Sequence, residues 1–221
     1  AYPNLPVKIV ATHAGVTVGA DGASHQTTED VALMRVLPNM SIYAPADYYE
    51  TFKLVVSIAK DPGPAYVRLP RPSVPVIFDE SYKFGRGKAV VMREGGDVAI
   101  VSMGTMLYQC LEAANLLGEE GIEAAVLHIN RVKPIDEKTI VRVAGETGAV
   151  VTVEEHSIIG GLGSCVAEVL VENNPVPMVR VGIPDVFGQS GSPEELLRHY
   201  GLTGEAIAKK AKKVIRRKKE V

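Results

Sequence analysis

The sequence predicts the α/β fold class, with two three-layer domains that are each built around a mostly parallel sheet. Short apolar segments rich in valine, alanine and isoleucine alternate with longer helical patterns, as they do when helices cover both faces of a parallel sheet. The chain has 221 residues, of which 46% are hydrophobic and only 5% aromatic. This length and composition suffice for one large domain or two small ones with packed cores.

The first domain is predicted for residues 1–75 and has the order strand, helix, strand, helix, strand. The successive segments are 7–11, 27–39, 41–45, 46–63 and 65–69. Thr27 or Thr28 is the expected N-cap of the first helix, and Asp47 is that of the second. This order predicts a parallel sheet, and it indicates the final part of a larger domain. Since the sequence starts at Ala1 directly before a strand, we expect further residues upstream.

Residues 76–88 are interpreted as a linker and residues 89–221 as the second domain. The wider stretch 70–88 contains three prolines and shows no regular period. Strands and helices then alternate again: strands within 98–104, 123–129, 149–155 and 177–183, and helices ending at 117 or lying within 134–146, 160–173, 192–201 and 203–217. Ser192 is the expected cap of the penultimate helix, with Pro193 at its first position.

The net charge of −2 conceals an uneven distribution of charge along the chain. Residues 209–219 form a basic tail that contains eight of the 24 lysines and arginines. We interpret this tail as a solvated last helix whose cations lie near its negative end. It has no interleaved aromatic residues and no long apolar face. Neither a nucleic acid nor a membrane is therefore expected as a partner.

The two cysteines, Cys110 and Cys165, are not spaced as a CxxC motif. Free thiols in a reducing compartment are the expectation. No apolar run approaches the length of a membrane span, and no signal peptide is visible. We therefore expect a cytoplasmic location.

Polar residues gather in the loops that follow two predicted strands. His13, Asp21 and His25 come after the first strand, and Arg71 comes after the third. Because ligands bind at the carboxyl ends of parallel strands, we expect these four residues to meet in one crevice. Imidazoles exchange protons with hydroxyls near neutral pH, carboxylates accept hydrogen bonds from sugar hydroxyls, and arginine grips phosphate in a fork. The set suits a phosphorylated sugar or polyol.

Three alternatives exist for these loop residues. Asp21 and His25 could bond only to the backbone of their own turn. A metal site would need a fourth ligand that nothing in the sequence fixes, so no metal is expected there. Arg68 is a rival to Arg71 as the phosphate ligand, although within its strand it could instead pair with an acid.

Two further motifs have both a functional and a structural interpretation. GGLGS at 160–164 could hold an anion through its amides, although close packing of a helix on a strand is favoured. EEH at 154–156 ends a buried strand and is interpreted as a structural network or interface. Other polar and aromatic residues are assigned structural, exposed or packing roles: His128, His199, Tyr48 and Tyr49.

Four stretches of the sequence resemble a known family. The stretch THAGVTVGADGASHQTTEDVALMRVLPNMSIYAPAD is similar to the pyrimidine-binding domain of transketolases, and GPAYVRLPRP to the last strand of that domain. VTVEEHSIIGGLGSCVAEVL and GIPDVFGQSGSPEELLRHYGLTGEAI resemble the transketolase C-terminal domain. The resemblance spans essentially the whole chain. It is strongest to the C-terminal half of transketolase, which some archaea and bacteria encode as a separate subunit.

The resemblance implies an enzyme that uses thiamine diphosphate and Mg²⁺. The family moves a two-carbon ketol unit from a ketose phosphate to an aldose phosphate in the non-oxidative pentose phosphate pathway. By resemblance, His13 and His25 are the catalytic candidates. Asp21 matches the residue that reads the stereochemistry of a substrate hydroxyl, and Arg71 matches the phosphate clamp.

Two departures from the family pattern bear on the cofactor. The family's catalytic glutamate and the aromatic residue that packs on the cofactor both lie upstream of the THAG stretch, and neither position is present. The domain that binds the diphosphate and Mg²⁺ is absent as well. The cofactor-binding residues of this chain therefore stay unassigned. The resemblance implies an N-terminal transketolase domain or subunit as partner, in a homo- or hetero-oligomer such as a dimer.

Three other functions compete with transketolase. Deoxyxylulose-phosphate synthases share similar stretches but typically lack a histidine at the position of His13. Beta-type subunits of two-oxoacid dehydrogenases use a lipoyl acceptor and have less use for His13 and Arg71. A non-catalytic assembly module would keep the fold without the chemistry. The missing glutamate favours such a module, whereas four convergent polar groups argue against it.

Overall fold

The computed structural model describes residues 1–218, so the end of the predicted basic tail and of the second domain lies outside the described residues. Two sheets organise the chain. The nine strands found within this range are Lys8–Ala11 (β1), Ser41–Tyr43 (β2), Ala65–Arg68 (β3), Val90–Arg93 (β4), Val98–Met103 (β5), Ala124–Ile129 (β6), Arg131–Lys133 (β7), Val150–Ser157 (β8) and Met178–Ile183 (β9). The α-helices within it are Asp30–Arg35 (α1), Tyr48–Ile58 (α2), Leu107–Glu119 (α3), Glu137–Thr147 (α4), Leu162–Asn173 (α5), Pro193–His199 (α6) and Gly204–Lys218 (α7).

The first sheet has the strand order β1-β3-β2-β7. β1 and β2 both run parallel to β3, which confirms the βαβαβ order expected for the first domain. β7 pairs with β2 in the antiparallel sense and comes from the second half of the chain. The sequence did not predict this short strand, which attaches the two halves of the molecule to each other.

The second sheet has the order β4-β6-β5-β8-β9 and is parallel except for the edge strand β4. β5 and β6 are buried along their full length because helices cover both faces. One apolar core lies under α3, α6 and α7. The other lies under α4 and α5 and continues to Val31, Met40 and Ile42 of the first domain. The predicted fold class, two mostly parallel α/β domains, is confirmed.

The first helix is shorter than predicted, and neither Thr27 nor Thr28 is its cap. α1 starts at Asp30, and Glu29 occupies the N-cap position without a side-chain cap bond. The threonines are held in an extended segment instead. Gly15 N donates to Thr27 O at 2.8 Å, and Ser157 N donates to Thr28 O at 2.7 Å. These long-range backbone bonds override the local capping preference and delay the helix.

The other two caps are confirmed. The Asp47 side chain accepts from Glu50 N at the start of α2, and Ser192 forms a capping box with Glu195 at the start of α6. Tyr48 was expected to pack, but it is 65% exposed and stacks on the neighbouring Phe52. No helix among residues 1–218 is both long and apolar enough to cross a membrane.

Candidate functional site

The loop after β1 is fixed at its base by backbone hydrogen bonds from both sides. Ala14 N donates to Leu69 O at 3.1 Å, at the end of β3, and His13 has a φ of 67°. Gly15, with a φ of +83°, lies so close to the Glu155 carboxylate that a Cβ there would come within 2.2 Å of Oε1. Only glycine fits this left-handed position. The loop is therefore held at the carboxyl edge of the first sheet, where His13 was expected.

Asp21 and Arg71 are brought together at this edge. Arg71 Nη1 donates to Asp21 Oδ2 in a short ion pair and to Val18 O at 3.2 Å. The side chain of Arg71 is 44% exposed and that of Asp21 is 38% exposed, so the pair is open to an entering ligand. Exposed ion pairs of this kind stabilise a fold by only about 0–1 kcal/mol. The pair is therefore easily exchanged for a ligand anion.

His13 and His25 lie on the same loop but do not contact Asp21 or Arg71. His13 Nδ1 is 2.8 Å from Thr12 Oγ1, and His25 Nδ1 is 3.0 Å from Ser24 Oγ. Both hydroxyls belong to directly preceding residues. Neither histidine has a buried partner that fixes its ring. The two imidazoles remain available to a ligand that enters this edge.

A cavity of about 390 Å³ lies at the same edge of the sheet, but its lining includes none of the four candidate residues. We call it the loop cavity, because it is lined by the loops that follow β1, β2 and β3, including Thr12, Pro45, Leu69 and Pro72. Thr12 precedes His13, and Pro70 and Pro72 flank Arg71. Its volume falls in the range of about 300–1,000 Å³ that small-molecule sites occupy.

Arg68, the rival phosphate ligand, is committed elsewhere. Its Nε donates to Asp30 Oδ2 at 3.0 Å, and both side chains are at least nine-tenths buried. Tyr66 donates its hydroxyl to the same carboxylate at 2.8 Å. Burial by itself would raise the pKa of Asp30, but the Arg68 charge and the Tyr66 hydrogen bond lower it below its usual value. Arg68 is therefore a structural cation in the interior, and Arg71 is the exposed one.

The EEH motif forms the structural network that was favoured for it. Glu155 Oε1 accepts from Thr17 N at 2.7 Å, which ties the second domain to the candidate loop. Arg68 Nη2 donates to Glu155 O at 2.8 Å. His156 Nε2 lies 3.8 Å from Asp30 Oδ1. All three residues of the motif are buried at the junction of the two domains.

The glycine-rich helix start at 160–164 does hold an acidic group, and that group is the Glu154 side chain of the chain itself. Glu154 accepts from Leu162 N at 2.6 Å and from Gly163 N at 2.8 Å. A Cβ on Gly161 would come within 2.0 Å of Glu154 Oε2, so close packing also requires the glycine. Burial raises the pKa of Glu154 to about 7. The motif is thus occupied and is not a phosphate site.

Gln26 is a positioning residue that the sequence analysis missed. Its side chain is buried, and Nε2 donates to Val16 O at 3.1 Å, Gly19 O at 3.3 Å and Gln189 O at 2.9 Å. These bonds hold the turn that carries Asp21 against the loop before α6. The signal available in the sequence was an amide directly after His25 in a glycine-rich loop.

A second buried junction, around Glu50, was also missed. His128 Nε2 lies 2.8 Å from Glu50 Oε2, and Asn130 and Tyr82 donate to Oε1 at 2.8 and 2.7 Å. Burial by itself would raise the pKa of Glu50, but His128 and these hydrogen bonds lower it to about 2. The junction joins α2, the linker and β6. It confirms the structural role expected for His128, while His199 is exposed.

The pKa of His156 predicts an acid-sensitive contribution to stability. Burial, assisted by the Arg68 charge, lowers this pKa from 6.5 to about 4. The native state keeps the imidazole neutral while the unfolded chain protonates it, so stability falls as the pH drops from about 6.5 to 4. The slope from one group is at most about 1.4 kcal/mol per pH unit. Glu154, with its raised pKa, acts in the opposite direction between about 4.5 and 7.

The variant His156→Gln removes the contribution of this histidine alone. We expect wild type to lose more unfolding free energy than the variant when the pH is lowered across this window. Urea denaturation of both proteins at several pH values measures the difference. Parallel pH profiles would show that the native state does not hold His156 neutral.

The residues present do not by themselves fit a thiamine diphosphate or Mg²⁺ site. Across residues 1–218, no group of three or more His, Cys, Asp or Glu side chains could hold a metal ion. The only acid described in the lining of the loop cavity is Asp47. Its carboxylate already accepts from the backbone amides of Glu50, Ile77 and Phe78.

Fold and site together define a class: two-domain α/β proteins with polar side chains on the loops at the carboxyl edge of the first sheet. Family models narrow this class. The transketolase pyrimidine binding domain matches residues 1–76, and the transketolase C-terminal domain matches residues 87–207. The chain belongs to the transketolase family. The domain boundaries at 75 and 88 stay predictions.

Individual relatives agree. A protein named as a transketolase C-terminal section, from Methanocaldococcus jannaschii, is 49% identical over 95% of this chain and 66% of its own length. The 6-deoxy-6-sulfo-D-fructose transketolase subunit of Clostridium sp. is 44% identical over 99% of this chain and 68% of its own length. A 1-deoxy-D-xylulose-5-phosphate synthase of Trichormus variabilis is 41% identical over 94% of this chain and 33% of its own length.

A solved structure agrees as well. It is described as a split gene transketolase, an inactive beta4 tetramer, and it superimposes with a TM-score of 0.91 at 50% identity. The match covers 98% of this chain and 69% of that structure. The chain therefore spans about two thirds of the length of these split-subunit relatives.

Proposed function

We propose that this chain is the C-terminal portion of a transketolase, which transfers a two-carbon ketol unit from a ketose phosphate to an aldose phosphate. The observation that carries the proposal is the exposed Asp21–Arg71 pair, placed at a sheet edge on whose loops His13 and His25 also lie. Recognition of a sugar phosphate requires a cation that binds the phosphate and an acceptor that hydrogen-bonds the hydroxyls. Its reaction also requires groups that transfer protons, which the two imidazoles provide.

In this proposal the ion pair is the resting state of the substrate site. The phosphate of an entering substrate replaces the Asp21 carboxylate as the partner of the Arg71 guanidinium, because a bidentate arginine–phosphate contact is charge-assisted and directional. Asp21 is then released to accept a hydrogen bond from a sugar hydroxyl. His13 and His25 donate to and accept from the hydroxyls near the reacting carbon.

The proposal includes an N-terminal transketolase domain or subunit as partner. That partner would bind thiamine diphosphate and Mg²⁺, for which the described residues offer no site. The assembly would be a homo- or hetero-oligomer, such as a dimer of complete active sites. A cytoplasmic location is proposed from the two free cysteines, and a role in the non-oxidative pentose phosphate pathway is proposed from the family resemblance.

The runner-up is deoxyxylulose-phosphate synthase, which would use pyruvate as the donor. His13 favours transketolase, since that other family typically lacks a histidine there. A lipoyl-directed dehydrogenase subunit has no evident use for Arg71, which is partly exposed and pairs with the similarly accessible Asp21. A non-catalytic module would not require the open Asp21–Arg71 pair. Replacing the ketose phosphate donor by pyruvate in one assay separates the two enzyme functions.

Arg71→Ala is the first test of the proposed phosphate clamp. We expect the apparent KM for a phosphorylated acceptor to rise about tenfold or more, because a hydrogen-bonded charge contact is lost. The KM for an unphosphorylated sugar should change little. The assay uses the C-terminal subunit extended upstream to the length of its relatives and combined with an N-terminal transketolase subunit.

Arg142→Ala is the matched control, since Arg142 also pairs with one exposed carboxylate, that of Glu146. This control should leave both KM values unchanged. An equal loss with phosphorylated and unphosphorylated sugars in Arg71→Ala would contradict the clamp.

A further inference from the structure

A second polar cavity, of about 250 Å³, lies at the opposite edge of the first sheet. Its lining includes Lys8, Ser41 and Ala65, which are the first residues of β1, β2 and β3. The candidate substrate site lies beyond the carboxyl ends of the same strands. Four-residue strands rise about 3.3 Å per residue, so roughly 10 Å of sheet separates the two edges. We call this the amino-edge cavity.

Three cations and one acid line the amino-edge cavity. Lys8 comes from β1, Arg86 from the linker and Arg131 from β7, while Asp61 is the acid. Arg86 pairs with Asp61 at 2.5 Å, and Lys8 Nζ donates to two backbone carbonyls at 2.7 and 2.9 Å. The lining thus contains one carboxylate and three cationic side chains. The cavity keeps an excess of positive charge.

Arg131 is the cation with unused donors. Its guanidinium lies 5.4 Å from the centre of the Tyr43 ring, and Nη2 donates to Ser41 Oγ at a long 3.3 Å. Nε is buried and has no acceptor anywhere in residues 1–218. Gly87 packs closely against the Arg131 guanidinium, since a Cβ added to Gly87 would lie 2.9 Å from Nη1. A buried donor without an acceptor is costly, and nearby anionic charge reduces that cost.

We propose that the amino-edge cavity binds a small phosphate-type oxyanion, distinct from the substrate of the candidate site. Arg131 is the principal ligand, and Lys8 and Arg86 supply charge from the other walls. Ser41 and Tyr43, whose side chains carry hydroxyl donors, belong to the same lining. Guanidinium groups suit this role, because their planar forks match phosphate oxygens.

The size of the cavity limits the ligand. At about 250 Å³ it lies just below the range of about 300–1,000 Å³ that is usual for drug-sized ligands. A nucleotide is too large for this space. Inorganic phosphate or a compact phosphate monoester fits, and both present the same oxyanion chemistry.

Occupancy of the cavity would join separate parts of the chain. Lys8 belongs to the first domain, Arg86 to the linker, and Arg131 to the strand that the second half of the chain adds to the first sheet. An anion held by all three therefore stabilises the junction of the domains. A ligand that binds only the native state raises its stability by mass action.

The test measures the binding of inorganic phosphate to the chain by calorimetry, with the melting temperature recorded beside it. Chloride at matched ionic strength is the reference. A pentose monophosphate is the second probe, which separates free phosphate from an organic phosphate. The variants are Arg131→Met, Arg86→Gln on the opposite wall, and Arg71→Met at the candidate substrate site.

We expect at least one of the two probes to bind, and Arg131→Met to weaken that binding at least about tenfold. Arg86→Gln should weaken it less. Arg71→Met removes phosphate binding at the candidate substrate site and should leave the binding that depends on Arg131 in place. Equal binding of both probes identifies free phosphate as sufficient, and tighter binding of the monoester identifies an organic phosphate. If Arg131→Met does not fold, loss of phosphate affinity in the exposed Arg86→Gln variant carries the same conclusion.

Two results would overturn the inference. One is the absence of phosphate-specific binding by wild type with either probe. The other is binding that Arg71→Met abolishes while Arg131→Met and Arg86→Gln leave it intact, since the anion would then sit at the substrate site. The ketol-transfer assays test the proposed function separately, so a failure of this inference and a failure of the proposed function can be distinguished.

Discussion

Arg68→Met is expected to lower the free energy of unfolding by about 3–5 kcal/mol, the usual cost of breaking a buried ion pair. The methionine keeps most of the apolar stem, so the loss comes from charge. Asp30 would be left as a buried carboxylate with only the Tyr66 hydroxyl and the distant His156 beside it. The backbone oxygen of Glu155 would also lose its donor. Urea denaturation followed by circular dichroism measures the change.

Arg142→Met is the matched control for this experiment. Arg142 pairs with Glu146 four residues along α4, but both side chains are about half exposed. Such a surface pair contributes about 0.3–0.5 kcal/mol. A loss of similar size in the two variants would show that the buried Arg68–Asp30 pair does not make the large contribution to stability expected of it.

The second large effect is expected at His13. Removing its imidazole should lower kcat for ketol transfer by about 10²–10⁴-fold, which is the usual contribution of a positioned acid–base group. His13→Ala and His13→Asn should agree, because asparagine tolerates the left-handed backbone found at this position. Both rates are measured in the reconstituted enzyme at saturating sugar phosphate.

His199→Ala is the control for His13. His199 is exposed on α6. Its ring lies edge-on to the Tyr200 ring, with the two ring centres 4.8 Å apart. This variant should keep the wild-type rate. Unchanged turnover in both His13 variants, with native melting temperatures, would remove His13 from the catalytic set.

Local sequence signals predicted those features of the fold whose causes are local. The Asp47 and Ser192 caps act on amides three residues away, so their patterns could be recognised directly. β7 could not be predicted, because three residues become a strand only by pairing with β2, which lies far away in sequence. The delayed start of α1 has the same origin, since Ser157 N bonds to Thr28 O.

The candidate site shows a similar division. The sequence placed His13, Asp21, His25 and Arg71 at one sheet edge because loops after parallel strands converge there. It could not distinguish Arg68 from Arg71 by composition. Only the packing shows that Arg68 faces Asp30 in the interior while Arg71 faces Asp21 at the surface. The support of the loop by Glu155 likewise depends on contact between the two domains.

The most direct test of the central proposal is a ketol-transfer assay with thiamine diphosphate, Mg²⁺, a ketopentose phosphate and an aldopentose phosphate. It compares this chain alone, this chain with an N-terminal transketolase subunit from the same source, and that subunit with the C-terminal subunit extended to the length of its relatives. We expect transfer when the N-terminal subunit meets the extended C-terminal subunit, and none with this chain alone. No transfer in any mixture, together with product formation when pyruvate replaces the ketose phosphate, would contradict the assignment as a transketolase.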